Sequence, residues 1–144
     1  MTPDYQTAAI KATETLIKYQ VKTAPVAPLP ILKSMPGVLC MSFESVSKEI
    51  EADRRCVMSM LGENNQDAYT IVNLVDGKKQ YLVTYNKMLS FNLLQRALAR
   101  ELGHIVLGHD GSKPEDVRNE EAKAFANHLL CPRPLIHKIG RAHV

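Results

Sequence analysis

Residues 98–104 read LARELGH and lie in the middle of a predicted helix. Apolar residues recur around them at intervals of three and four, which places them on one helical face: Leu93, Leu94, Ala97, Leu98, Leu102, Ile105 and Val106. Ser90 is suited to cap the beginning of this helix, and Gly108 is suited to end it. Glu101 falls among the apolar side chains, where a buried carboxylate is costly unless it has a partner. The stretch therefore predicts a helix that places an ionisable group in the protein interior.

Glu101 and His104 also occupy two of the three defined positions of His-Glu-x-x-His, a helical zinc-binding motif. In that motif the two His side chains, four residues apart, bind one zinc ion, and the Glu is the general base for the metal-bound water. Arg100 stands at the position of the first His. A guanidinium has no lone pair to donate and repels a dication at close range, so the motif is incomplete.

Further elements are predicted on both sides of this helix. Residues 68–75 and 80–85 read as β-strands, and the Asp-Gly pair between them is typical of a hairpin turn. A second helix, after a loop at 110–112, is predicted from Pro114 to about residue 130. The elements predicted nearer the N terminus are a helix at 7–19, an extended linker at 23–30, a short helical turn at 31–34, a strand at 38–43, a helix at 45–59 and a loop at 61–67.

Length and composition indicate one globular domain. The chain has 144 residues, of which 45% are hydrophobic and 23% charged. A net charge of +3 without a basic, aromatic-rich block gives no reason to expect nucleic-acid binding. The N terminus lacks the features of a signal peptide, and no stretch approaches the roughly 20 apolar residues of a membrane span, so no membrane association is expected. Three widely spaced cysteines indicate a reducing cytoplasm: Cys40, Cys56 and Cys131.

We assign residues 1–138 to a single domain. One back-translation of residues 139–144 spells a common sequencing adapter, so we interpret this segment as a non-native tail. We accordingly expect the natural chain to continue past Lys138.

Residues 68–136 resemble the ImmA/IrrE family of zinc-dependent metallo-endopeptidases. The resemblance rests on linked motifs: ARELGH at 99–104, LGH at 107–109, EA at 121–122, FA at 125–126 and LLCP at 129–132. It implies an α+β fold in which a small sheet containing an antiparallel pair packs against a helical bundle with a zincin-like active-site helix. Family members are typically phage, mobile-element or stress proteins that cleave a helix-turn-helix repressor and so release transcription.

The resemblance also implies site residues. Glu101 is then the general base and His104 a zinc ligand, and the third ligand is a carboxylate from the second helix. The family often has Glu-x-Glu-Ala before its Phe-Ala, with the first Glu as the ligand, and Asn119 stands at that position here. Glu121 is the alternative ligand, since it shares a helical stripe with residues expected to pack inward: Val117, Ala124, Phe125 and His128. Glu120 falls outside that stripe and is expected to be solvated.

Arg100 has three interpretations. It is a surface arginine, or its guanidinium takes the place of the metal and bridges Glu101 or Glu121, or it is a sequencing error, since His and Arg codons can differ by one base. We prefer the bridge, because a guanidinium forms two parallel bonds with a carboxylate. For Glu101 without zinc, we prefer a structural ion pair over a general base.

The remaining candidates have simpler interpretations. His104 is either a hydrogen-bonded core histidine, which we prefer, or a metal ligand. His109 follows Gly108, where an imidazole can meet the free carbonyls of a helix end, and its offset of five from His104 does not suit a shared metal. Cys131 is expected to be a buried, small apolar residue.

Three functional hypotheses follow. The preferred one is a pseudo-peptidase, a metallopeptidase scaffold with an impaired or inactive site that binds a protein partner such as a helix-turn-helix repressor. A catalytic zinc normally has three protein ligands, whereas His104 and one carboxylate give two. No cofactor is therefore expected, although Zn²⁺ is the cofactor if the site is functional. The second hypothesis is an active zinc metallo-endopeptidase that cleaves a repressor, and the third is a non-proteolytic interaction module.

Overall fold

The computed structural model describes residues 1–49 and 67–132. In these residues five helices pack against a three-stranded mixed sheet, which confirms the expected α+β fold. The helices are α1 (Tyr5–Lys18), α2 (Pro28–Ser34), α3 (Phe43–Glu49), α4 (Phe91–Val106) and α5 (Glu115–Leu130). The strands are β1 (Val38–Ser42), β2 (Ala68–Val75) and β3 (Lys78–Tyr85).

The central strand of the sheet is β3. β1 pairs with it in parallel and β2 pairs with it antiparallel, so β1 and β2 are the edges of the described sheet. The turn between β2 and β3 has a positive φ at Asp76 (53°) and at Gly77 (76°), which is the conformation of a type I′ turn. The predicted hairpin is confirmed, and β3 begins earlier than expected because Lys78 already pairs with Val75.

Helices cover both faces of this sheet. The main core lies between one face and α1, α2, α4 and α5. Its buried members are Ala8, Ala12, Leu16, Val26, Ile31, Leu32, Val83, Leu98, Ala99, Leu102, Ile105, Phe125, Ala126 and Leu129. A smaller cluster lies on the other face, where Phe43 and Val46 of α3 pack with Ile71. Val83 faces the main core, so its cross-strand partner Thr70 faces the same side, towards α4.

The two motif-bearing helices, α4 and α5, approach each other closely at Gly103. A Cβ atom at this position would lie 3.0 Å from Cδ1 of Phe125, a ring that is fully buried. Only a residue without a side chain allows this approach without a shift of the ring. The contact sets the distance between the α4 residues of the motif and the carboxylates of α5.

Several predicted boundaries differ from the observed ones for local reasons. The predicted linker ends early because α2 begins at Pro28, a residue suited to the first turn of a helix. Phe43, predicted as the end of a strand, instead begins α3. The helix predicted at 45–59 is observed as far as Glu49 and otherwise lies outside the described residues, as does the loop predicted at 61–67 apart from Asp67.

The predicted ends of the motif helices are largely confirmed. Gly108 follows α4 with a φ of +64°, the left-handed conformation of a helix C terminus. Ser90 stands at the N-cap of α4, but its side chain makes no capping hydrogen bond. Pro114 is the N-cap residue of α5. Among the described residues, no helix is both long enough and apolar enough to cross a membrane.

Candidate functional site

A cleft of about 710 Å³ opens beside the motif face of α4. Its walls come from β2, α4 and α5, with Tyr81 of β3 and His109 of the α4–α5 loop. The lining is largely polar and includes Asp67, Tyr69, Thr70, Arg100, Glu101, His104, Glu115, Arg118, Asn119, Glu120 and Lys123. Of the predicted site residues, Arg100, Glu101, His104 and Asn119 therefore share one cleft, while Glu121 lies behind it.

Glu101 is held by a neutral partner from the sheet. The hydroxyl of Thr70 donates a hydrogen bond to Oε1 of Glu101 over 3.1 Å. Burial raises the pKa of Glu101 to about 7, although the Thr70 bond and the Arg100 charge both act to lower it. The expected structural ion pair is wrong for the described residues, since the partner there is a hydroxyl. Glu101 is thus much more readily protonated near neutral pH than an ordinary glutamate.

Arg100 pairs with Asp67 rather than with Glu101 or Glu121 in the described part of the chain. Its Nη2 lies 4.0 Å from Oδ2 of Asp67, and the two side chains are 44% and 40% exposed. At this distance and exposure an ion pair contributes little stability. The preferred bridge to Glu101 or Glu121 is therefore wrong for the described residues, and the surface-arginine interpretation fits the observed position.

Glu121 is the best-satisfied charge in the site. Its side chain is 3% exposed, and three groups donate to it: Nζ of Lys113 to both oxygens over 2.9 and 3.0 Å, the backbone N–H of Asp4 over 2.8 Å, and Nε2 of His109 over 2.9 Å. Burial acts to raise the pKa of Glu121, but these donors outweigh it and lower the pKa to about 2. The prediction that Glu121 faces inward and Glu120 faces solvent is confirmed. His128, expected on the same inward stripe, is exposed, because the buried stripe is centred on Ala122, Phe125 and Leu129 and leaves His128 at its margin.

His109 connects this carboxylate to the motif histidine. Nδ1 of His109 lies 2.8 Å from Nδ1 of His104, and the His109 side chain is 3% exposed. Burial, aided by His109 and the cationic Arg118 and Arg100, lowers the pKa of His104 to about 4, so His104 is neutral at pH 7.

The contact with Glu121 determines which ring nitrogen of each imidazole carries the hydrogen. When His109 is neutral, its Nε2–H donates to Glu121, and its Nδ1 must then accept from Nδ1–H of His104. The lone pair of His104 is then on Nε2. His104 is therefore a hydrogen-bonded histidine, as preferred, and it also lines the cleft.

Sequence reasoning missed part of this arrangement. The side chain of His109 does not cap the helix end with its imidazole, and only its backbone N–H donates to the carbonyl of His104, over 3.0 Å. Lys113 and Thr70 were not predicted as site residues. Asp4 contributes only its backbone N–H, and the residue type of a position does not indicate such a contact. Cys131, expected to be buried, is exposed because it follows the last residue of α5.

The residues present do not fit a catalytic zinc ion. In the described residues, no three side chains of His, Cys, Asp or Glu are arranged to hold a metal. Arg100 has no lone pair, and both oxygens of Glu121 already accept from an ammonium group. Nδ1 of His104 faces another imidazole. Asn119, at the position of the family's carboxylate, is exposed and offers only an amide.

Comparison with known proteins assigns no family to this chain. Models of protein families and curated proteins gave no match, so the resemblance of residues 68–136 to the ImmA/IrrE metallo-endopeptidases stays a prediction.

Proposed function

We propose that this protein is a pseudo-peptidase, a metallopeptidase-like scaffold that binds a protein partner in the cleft beside α4 without hydrolysing it. The observation that carries the proposal is the engagement of Glu121 by Lys113, His109 and Asp4. A carboxylate neutralised by an ammonium and two further donors is a poor metal ligand, because the metal would have to displace all three.

The state of Glu101 supports a binding role. A carboxyl group with a pKa of about 7 presents both a protonated and an ionised form at neutral pH. It lies at the cleft wall beside Thr70, so it can donate to or accept from backbone groups of a bound chain. Such a group can contribute to the specificity of partner binding, and this role needs no metal-activated water.

In the described sheet β2 is an edge strand, and this supports a peptide-like partner. The backbone N–H of Asn86 donates to the carbonyl of Asp67, so these two residues form a hydrogen-bonded pair of the antiparallel hairpin. Hydrogen-bonded and non-hydrogen-bonded pairs alternate from there along β2 and β3. By that alternation, Thr70, Val72 and Leu74 direct their backbone N–H and C=O groups away from β3. Val72 and Leu74 are 48% and 68% exposed. An extended segment of a partner can therefore add to this edge and pass beside Glu101. By resemblance, the partner is a helix-turn-helix repressor.

The test uses the full chain, purified without added metal, and a helix-turn-helix repressor encoded beside its gene. We expect zinc content well below one equivalent, no cleavage of the repressor, and binding measurable by calorimetry. Val72→Pro removes an outward N–H of an edge strand, where proline is tolerated, and is expected to weaken binding about tenfold. Ile17→Lys, on the exposed side of α1, is the matched control and is expected to bind normally. One equivalent of zinc together with chelator-sensitive cleavage overturns the proposal.

An active zinc metallo-endopeptidase is the second candidate. It is favoured by Glu101 and His104, which line the same cleft at the offsets of the motif. Introducing Arg100→His, alone or with Asn119→Glu, tests whether the scaffold can be made to bind zinc. Tight zinc binding by the double variant and not by the natural chain supports a scaffold that has lost its metal. The third hypothesis, a non-proteolytic interaction module unrelated to peptidases, gains no support, because α4 and α5 pack against each other as the resemblance implies.

A further inference from the structure

The Glu121 carboxylate lies where three separate parts of the chain meet. Asp4 precedes α1, His109 and Lys113 belong to the loop between α4 and α5, and Glu121 itself is in α5. Each part reaches the same buried group, whose side chain is 3% exposed. A negative charge at such a position requires a compensating cation, and the identity of that cation decides what holds the site together.

We infer that the Lys113 ammonium is the resident counter-cation of the two-helix site, in place of a metal ion, and that its pairing with Glu121 joins the N-terminal segment, the α4–α5 loop and α5 into one metal-independent unit. This inference rests on the same Lys113–Glu121 contact as the proposed function and adds what the contact does for the fold: it names the cation that stabilises the buried carboxylate. The inference also holds whichever partner occupies the cleft.

The position of Lys113 is built into the loop. Its Nζ bonds both carboxylate oxygens, over 2.9 and 3.0 Å, so the ammonium bridges the whole carboxylate. Nε of Arg118, one turn into α5, donates to the backbone carbonyl of Lys113 over 3.1 Å. The loop is therefore anchored by its backbone at the residue that supplies the charge. The Lys113 side chain is itself 38% exposed, so its ammonium reaches the buried carboxylate from the surface while its backbone is held in place.

The other nearby cations are directed elsewhere, since Arg118 donates to the backbone carbonyl of Lys113. Arg100 pairs weakly with Asp67 at 4.0 Å, in a partly exposed position. His109 donates one hydrogen bond to Oε1 of Glu121 and is also bonded to His104. Among the described residues, Lys113 is therefore the cation that compensates Glu121 directly.

A double-mutant cycle with thermal unfolding of the full chain tests the inference, using Lys113→Met, Glu121→Gln and the combination. We expect Lys113→Met to lower Tm by about 5 °C or more, since it leaves a buried carboxylate without its cation. The combined variant is expected to be more stable than the sum of the two single effects predicts, because the neutral amide no longer needs a cation. Lys87→Met, at an exposed loop lysine, is the control and is expected to leave Tm unchanged.

The same experiment is repeated with EDTA and with zinc chloride. The natural chain is expected to keep its Tm in both. A fall of Tm in EDTA, or strictly additive effects in the cycle, overturns the inference. If Lys113→Met does not fold, the combined variant is compared with Glu121→Gln alone, where loss of Lys113 is expected to change Tm by less than about 2 °C. A larger fall there also overturns it. Failure of repressor binding affects the proposed function alone, whereas additivity in the cycle overturns this inference and also removes the support that the Lys113–Glu121 contact gives to the proposed function.

Discussion

Gly103 of α4 and Phe125 of α5 are in such close contact that a methyl group on the glycine would lie 3.0 Å from Cδ1 and 3.2 Å from Cβ of the phenylalanine. Both residues belong to the motifs that carry the family resemblance, and both are buried. The small residue in ARELGH therefore serves helix packing, whereas Arg100, Glu101 and His104 on either side of it line the cleft.

Gly103→Ala is expected to destabilise the protein by about 1–2 kcal/mol, because overpacking of a buried ring outweighs the better helix propensity of alanine. Urea denaturation measures the change. Gly111→Ala is the matched control, since a Cβ there meets nothing within 4 Å, and it is expected to stay within about 0.5 kcal/mol of the natural chain. Equal effects of the two substitutions would contradict the packing argument.

Glu101 is expected to make the protein less stable as pH rises. Its pKa is raised from 4.5 to about 7 in the folded state, so the folded protein binds more protons between these values. The stabilisation is complete below pH 4.5 and is lost as pH rises through 7, a change of roughly 3 kcal/mol. Glu101→Gln removes this contribution. Denaturation of both proteins from pH 4.5 to pH 8 should show the difference, and parallel curves would show that Glu101 titrates normally.

His104 has the opposite effect on the pH dependence of stability. Its pKa is lowered from 6.5 to about 4, so the unfolded chain binds more protons between these values and stability rises with pH across that window. This contribution is present above pH 6.5 and is lost as pH falls through 4. The natural chain is therefore expected to have a nearly flat profile between pH 4.5 and 6.5, since the two groups oppose each other.

The variants separate these two contributions. His104→Gln is expected to lose stability as pH rises through this range, and Glu101→Gln is expected to gain it. The sign of the slope, measured by chemical denaturation at several pH values, is the readout. Slopes of the same sign in both variants would contradict the assignment.

Thr70→Val is expected to raise the pKa of Glu101 further, because the carboxylate loses the hydroxyl that stabilises its charged form. The side-chain carbon resonance of Glu101, followed through a pH titration, gives the value directly. Thr13→Val, which removes a hydroxyl from α1 that bonds only to a backbone carbonyl, is the control. An unchanged Glu101 titration in Thr70→Val would mean that the hydrogen bond has no electrostatic role.

Local patterns in the sequence predict the elements well, since the forces that set them act over a few residues. The Asp76-Gly77 pair predicts the hairpin because both residues tolerate positive φ, and Gly108 predicts the end of α4 for the same reason. The inward position of Glu121 follows from helical spacing alone.

Partners of the site residues are harder to predict because they come from distant parts of the chain. Thr70 is 31 residues from Glu101, and the Asp4 amide is 117 residues from Glu121. Charge alone favours Arg100 as the cation for Glu101 or Glu121, but its side chain lies towards Asp67. Only the packing of α5 against the loop and α1 shows that Lys113 takes this place.

The Asp4 amide offers a way to observe the buried charge from outside. Backbone protons ahead of a helix normally exchange quickly with solvent, since no carbonyl is available to accept from them. This one donates to Glu121 over 2.8 Å, so it should exchange slowly for as long as the carboxylate keeps its place. Its deuterium uptake therefore reports, from a single position near the start of the chain, whether the meeting point of three distant segments has opened.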